Sequence, residues 1–186
     1  LTFIGGFGMA SFFAFLASSS FIYMGHFGLT PTQYGLTFSV NAIGFIGASQ
    51  FSAYLASRFG ITRVVSVAVT CFTVATLALF ALTAAGVDSL IVLVVMLFIA
   101  NAWLGLVIPS TMVLSLEDHG PIAGMASALG GTLQMITGAV MIVVASAFFN
   151  GTALPMVTTI AVCAVAAFIL TRLTLRSDKA APQLAE

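Results

Sequence analysis

The chain has 186 residues, of which 61% are hydrophobic and only 5% are charged, with five basic and five acidic side chains and no formal net charge. Soluble domains carry about 25% charged residues, so this composition excludes a soluble globular protein and a disordered chain. It also excludes a nucleic-acid-binding protein, which needs a basic face. The solvent for most of this chain is therefore the lipid bilayer.

Uncharged stretches set the number and order of the predicted helices. Residues 1–57, 64–87, 89–116 and 119–171 contain no Asp, Glu, Lys or Arg. A membrane helix needs about 20 residues, so the middle stretches hold one span each and the outer stretches two each, divided by turns at 25–31 and 150–152. We predict an all-α integral membrane fold with six transmembrane helices in 1–176 and a polar cytoplasmic tail at 177–186. The predicted spans are 3–25, 32–56, 63–85, 90–116, 121–149 and 154–174.

Basic residues predict which ends of the helices face the cytoplasm. All five lie after span two, or at and beyond the end of span six: Arg58, Arg63, Arg172, Arg176 and Lys179. With six spans these two places are on the same side, which the positive-inside rule makes cytoplasmic, so both termini of this segment are expected there. Because the chain starts at Leu1 in an apolar run, without Met or a signal peptide, we expect it to be the carboxyl-terminal piece of a longer protein.

Small residues in spans two and five predict close packing, since small side chains four apart let helices approach each other in lipid. The rows are Ala48, Ser52 and Ala56, then Ser49, Ala53 and Ser57 in span two, and Ala126, Gly130, Gln134 and Gly138 in span five. Spans three and six contain no strong polar residue, and we expect them to be lipid-facing supports. In span four, Pro109 removes a helix hydrogen bond and predicts a kink near Gly105.

Amide side chains inside hydrocarbon need a partner, because an unpaired amide there costs a few kcal/mol. At 1.5 Å per residue, Asn41, Asn101 and Gln134 lie roughly 14, 16 and 20 Å into their spans, near the midplane of a core about 30 Å thick. They are expected to form one shared polar site, or else to join helices by hydrogen bonds. Gln50, about 180° around the helix from Asn41, is expected to serve packing or gating. Trp103 either lines a cavity or packs against lipid or another helix.

The remaining polar groups offer no catalytic or metal site. Glu117, Asp118 and His119 are adjacent and predict a hydrated cytoplasmic loop, in which Glu117 could pair with Arg58 or Arg63. The two cysteines are isolated in apolar runs, so no metal or cofactor is expected. A serine nucleophile would need a positioned base, and neither histidine lies within a predicted span, so an intramembrane protease is excluded. The sequence does not predict an enzyme.

Two groups of motifs carry a family resemblance. The first is Gly28-Leu29-Thr30-Pro31, Tyr34-Gly35-Leu36, Asn41-Ala42-Ile43-Gly44 and Arg58-Phe59-Gly60-Ile61-Thr62-Arg63; the second is Gly105-Leu106-Val107-Ile108-Pro109 with Ala123-Gly124 and Ala126-Ser127-Ala128-Leu129. They resemble the carboxyl-terminal half of the bicyclomycin/chloramphenicol-resistance (Bcr/CflA-type) drug:proton antiporters of the major facilitator superfamily. The sequence departs from that pattern at Ser20, where the family usually has Pro, and at Pro121, where a basic residue is common.

The resemblance implies helices seven to twelve of a twelve-helix carrier in the bacterial inner membrane, with a preceding six-helix half as partner. The expected activity is efflux of small hydrophobic or amphipathic drugs in exchange for protons. On this half the drug would contact Phe12, Phe15, Asn41, Asn101 and Gln134, while Gln50, Gly130, Gly138 and Pro109 would serve packing or gating. A carrier of sugars or other metabolites, and a six-helix scaffold or dimerising half-carrier, are the competing hypotheses.

Overall fold

The computed structural model describes residues 2–116, 123–148 and 151–177, and these form helices joined by short turns. Helix α1 (Thr2–Ser20) continues into a π-helical turn (Phe21–His26). The others are α2 (Pro31–Gln50), α3 (Ser52–Phe59), α4 (Ile61–Ala84), α5 (Leu90–Leu116), α6 (Ala123–Ala147) and α7 (Ala153–Ser177). The described part of the chain contains no strand, and the predicted all-α membrane class is confirmed.

Five of these helices have the length and apolar composition to cross a membrane: Thr2–His26, Ile61–Ala84, Leu90–Leu116, Ala123–Ala147 and Ala153–Thr174. The predicted second span is different, because a turn at Phe51 divides it into α2 and α3. Helix α2 has the length, with 20 residues, but it is more polar than the five. The count of six spans therefore stays a prediction that depends on α2 and α3 crossing together.

The start of α2 is fixed by its own sequence. The Thr30 hydroxyl accepts from the Gln33 amide at 3.3 Å, and the Gln33 side-chain oxygen accepts from the Thr30 amide at 2.9 Å. Pro31 occupies the first helical position, where its missing N–H is not needed. This capping box separates α2 from the π-helical turn and sets the register of Asn41 about three turns later.

Helix α5 lies at the centre of the bundle and packs on α2, α4 and α1, while α1 packs on α6 and α7, and α4 packs on α7. Spans three and six, which are α4 and α7, were expected to be lipid-facing supports. That expectation is wrong for one side of each helix, which is buried in the bundle. Half of the residues in the apolar windows of α4 and α7 are buried, among them Val65, Phe72, Val157 and Ile160. In lipid the outward side of a helix is also apolar, so composition alone did not reveal the buried side.

The small-residue rows pack on one side only. Ser52 of α2–α3 hydrogen-bonds Ser110 of α5 at 2.8 Å, whereas Ala53 and Ser57 of the second row are exposed. In α6, Gly130 and Gly138 are buried against α1. Helix α5 runs unbroken through Pro109, and the kink near Gly105 stays a prediction.

Candidate substrate cavity

A cavity of about 210 Å³ lies between α1, α2 and α5. Its lining comprises Phe12 and Phe15 of α1, Phe38, Asn41, Ala42, Phe45 and Ile46 of α2, and Asn101 of α5. The structure thus brings together four of the five residues predicted to contact a substrate.

Phenylalanine rings join α1 to α2 across this cavity. Phe12 stacks on Phe45 with ring centroids 5.1 Å apart, and Phe15 stacks on Phe38 at 6.0 Å with the rings nearly parallel. Offset ring pairs of this kind contribute about 0.5–1.5 kcal/mol beyond burial. The two stacked pairs give the cavity flat apolar surfaces that suit aromatic or hydrophobic guests.

Two asparagines supply the polar groups of the cavity. Asn101 Nδ2 donates to Asn41 Oδ1 at 3.2 Å, and Asn41 Nδ2 donates to the Thr37 carbonyl oxygen, one turn back in α2, also at 3.2 Å. Both side chains are buried. No described residue donates to Asn101 Oδ1, so one carbonyl oxygen remains as an acceptor for a guest or a water. The pair therefore joins α2 to α5 and also lines the cavity, while its contact with a substrate stays a prediction.

Gln134 does not line this cavity. The expectation that Asn41, Asn101 and Gln134 share one site is therefore wrong for Gln134. A Cβ added at Gly5 would lie 2.7 Å from Gln134 Nε2 and 2.8 Å from Thr111 Oγ1, so Gln134 packs at the first turns of α1. The depth estimate failed because it counted from the start of each helix. Gln134 is about 17 Å from Ala123 but is level with Thr111, which lies only about 8 Å before the end of α5 at Leu116, so α6 extends past the end of α5. Its contact with a substrate stays a prediction.

The predicted packing and gating residues are dispersed. Gln50 is exposed at the end of α2, while Gly130 and Gly138 face α1. A Cβ at Gly138 would collide with the Phe13 ring, whereas one at Gly130 would make ordinary contact with Thr2 at 3.7 Å. The tighter approach therefore lies at Gly138.

The charged groups divide between the two ends of the bundle. At one end Arg58 Nη1 donates to the Tyr54 hydroxyl at 2.8 Å, and Arg63 lies in the first turn of α4. At the other end His26 Nε2 and Asp88 Oδ2 are 2.7 Å apart, which ties the turn after α1 to the loop before α5. Glu117 lies outside the described residues, so its pairing with Arg58 or Arg63 stays a prediction.

Sequence reasoning named only Asn41 from α2 and missed the other α2 residues that line the cavity. Phe38, Asn41, Ala42 and Phe45 are spaced by three, four and seven residues, the pattern of one helix face. That spacing was a usable signal. No sequence signal predicted the buried pair of Ser52 and Ser110, because serines commonly bond their own helix backbone.

With the geometry described, two curated relatives can be compared. The chain is 30% identical over 133 residues to the uncharacterized MFS-type transporter YdgK of Bacillus subtilis, covering 69% of this chain and 32% of the relative. It is 28% identical over 186 residues to the bicyclomycin resistance protein homolog of Haemophilus influenzae, covering 94% of this chain and 45% of the relative. The chain thus spans less than half the length of either relative. No family model matches it, and no solved structure matches it.

The helices and the relatives together define a class. The chain is a multi-pass membrane protein of helical type, similar to transporters of the major facilitator type. Neither relative is named as an enzyme, which points to transport rather than catalysis.

Proposed function

We propose that the chain is the carboxyl-terminal six-helix half of a bacterial inner-membrane carrier that exports small hydrophobic or amphipathic compounds by proton antiport with alternating access. The observation that carries this proposal is the cavity in which two stacked phenylalanine pairs surround the Asn41–Asn101 pair. The relative named as a bicyclomycin resistance protein homolog supports the drug class.

The balance of apolar and polar surface favours drugs over sugars. A sugar needs many hydrogen bonds, since each hydroxyl that loses water must regain a partner. The cavity offers two amides, which largely satisfy each other and the α2 backbone. Ligand sites with many apolar contacts and few polar groups suit hydrophobic compounds whose orientation is set at one or two points.

The size of the cavity supports a second, missing half. Its volume of about 210 Å³ is below the roughly 300–1,000 Å³ of pockets that enclose drug-sized ligands. A partner half facing α1, α2 and α5 would supply the rest of the site. In carriers built from two repeated halves, substrate sites lie at the interface between the repeats.

Proton coupling is proposed to depend on that other half. The five acidic residues of this chain are at positions 88, 117, 118, 178 and 186, and none lies within a predicted span. Proton carriers within transporters are ionisable residues at membrane depth. This half would therefore contribute substrate contacts and alternating access, and the other half the acidic group.

The test is active efflux by the whole carrier. It is expressed in bacteria lacking other efflux pumps, and intracellular accumulation of several hydrophobic dyes and drugs is measured with and without a protonophore. The proposal predicts lower accumulation that the protonophore abolishes. Export or uptake of a sugar with no effect on any drug would assign the carrier to metabolites, and no transport of either class by a correctly inserted protein would favour a scaffold.

A further inference from the structure

A second pocket lies on the other side of α5, away from the substrate cavity. It is a groove of about 410 Å³ between α3, the first turns of α4 and the middle of α5. We call it the Trp103 groove and define it by Leu55, Phe59, Arg63, Val67, Trp103 and Leu106. Trp103 is two residues beyond Asn101, about 200° around the helix, so one side chain faces the groove and the other the cavity.

The groove is apolar inside and open at its side. Leu106 is buried, whereas Phe59 and Val67 expose about half of their surface. Val67 follows Arg63 by one helical turn, so the groove runs from the end of the bundle into the depth of α4. In a protein with membrane-spanning helices, such an open apolar groove faces the acyl chains of the bilayer.

Positive charge gathers at the mouth of the groove. Arg63 is exposed in the first turn of α4, and Arg58 ends α3 just before the corner at Gly60. The α4 N-terminus has no side-chain cap and no acidic residue in its first turn, so its free amides add partial positive charge. Asp88, the acidic residue in the described ranges, lies beyond the far end of α4 and bonds His26. Among the described residues, the groups at the mouth therefore favour an anion, and a phosphate there would compete with the predicted pairing of Glu117 with Arg63.

We propose that the Trp103 groove binds an anionic phospholipid, with one acyl chain along Val67 and Trp103 and the phosphate on Arg63 at the start of α4. Its volume falls in the range of ligand sites, about 300–1,000 Å³. Arginine matches phosphate oxygens with two parallel hydrogen bonds, and basic pockets between membrane helices hold anionic head groups. A free anion would leave the apolar groove unfilled, and a neutral lipid would leave the charge uncompensated.

The experiment is native mass spectrometry of the full chain, purified in detergent and exposed to equal amounts of phosphatidylglycerol and phosphatidylcholine with identical acyl chains. Wild type is expected to retain phosphatidylglycerol preferentially. Arg63→Gln should weaken that retention about fivefold, the effect of one basic residue near an anionic lipid. The matched control is Arg172→Gln, because Arg172 is also exposed but lies over the Phe168 ring of α7, outside the groove. It should bind phosphatidylglycerol as wild type does.

A second variant tests the apolar part of the site. Val67→Trp is on the exposed side of α4, so it should fold normally while filling the groove and reducing phosphatidylglycerol retention as much as Arg63→Gln does. Equal losses in Arg63→Gln and Arg172→Gln would overturn the proposal, as would wild type that retains both lipids alike or full retention by Val67→Trp. A detergent-stable dimer that Val67→Trp abolishes would assign the groove to a second copy of the chain instead.

Discussion

Asn41 and Asn101 connect two helices and also present polar atoms to the cavity. Their mutual bond of 3.2 Å joins α2 to α5, and a second side-chain bond, between Ser52 and Ser110 at 2.8 Å, joins α3 to α5. The second pair lies two to three turns away and does not line the cavity. The chain therefore contains a matched pair of interhelical bonds, of which one touches the proposed substrate.

The first prediction separates the two roles of Asn101. Asn101→Ala removes a bond from α5 to α2, and Ser110→Ala removes a bond from α5 to α3. Each loss costs about 0.6 kcal/mol on average in membrane proteins, so both variants should have a slightly lower melting temperature in detergent. Only Asn101→Ala should change the pattern of drug resistance, by up to about tenfold for compounds that lose about 1.4 kcal/mol of binding.

The measurement that separates the two roles is resistance to several drugs, in cells that produce equal amounts of each variant. Because each drug contacts a different part of the cavity, the losses for Asn101→Ala should differ between drugs. Parallel losses for all drugs in both variants would mean that Asn101 acts only as an interhelical connection.

At the scale of the helices, contact is closest where a glycine meets a neighbouring backbone. A Cβ at Gly105 of α5 would collide with the Phe45 carbonyl oxygen of α2, which cannot move without shifting the helix. Gly47, on the other side of α2, has open space around it. Gly105 therefore sets the distance between α2 and α5, whereas Gly47 has no packing role.

The second prediction follows from that difference. Gly105→Ala should push α2 away from α5 and cost about 1–3 kcal/mol of stability, as overpacking does in other cores. Gly47→Ala should be neutral or stabilising by up to about 1 kcal/mol, because Ala loses less backbone entropy in a helix. Thermal unfolding of both purified variants tests this, and similar melting temperatures would show that α2 and α5 are not held at the distance described.

The third prediction concerns the row on α6 that faces α1. Gly138→Ala must displace the Phe13 ring, whereas Gly130→Ala meets Thr2 at an ordinary distance of 3.7 Å. Gly138→Ala should therefore reduce both the melting temperature and drug efflux more than Gly130→Ala. If Gly130→Ala is the more damaging change, close approach of α6 to α1 is needed at the other end of the row.

At the scale of the whole molecule, composition predicted the all-α membrane class, because lipid excludes charge from membrane-spanning helices. It did not predict the turn at Phe51 that divides the second predicted span. It did not predict which helix sides are buried, since the sides of α4 and α7 that face lipid and those that face the protein are equally apolar. Nor did it place Gln134, because relative helix shifts depend on contacts such as that with Gly5. The cavity was partly predictable: Asn41 and Asn101 stand out as amides in apolar runs, while Phe38 and Phe45 needed the spacing of α2.

The last prediction concerns where protons bind during transport. Outside the basic residues and the polar tail, the acidic and histidine side chains are His26 and Asp88 at one end and Glu117, Asp118 and His119 between α5 and α6. Neither His26 nor Asp88 lines the cavity. The His26–Asp88 pair is partly exposed, and such pairs contribute about 0–1 kcal/mol to stability. Two multiple variants of the carrier should both keep efflux that a protonophore abolishes. The first carries His26→Gln and Asp88→Asn, and the second carries Glu117→Gln, Asp118→Asn and His119→Gln.

The control for each is the amount of inserted protein and its melting temperature. If either set of changes removes proton-driven efflux from a protein that inserts and melts normally, while drug binding persists, the coupling group lies in this chain and its assignment to the other half is wrong.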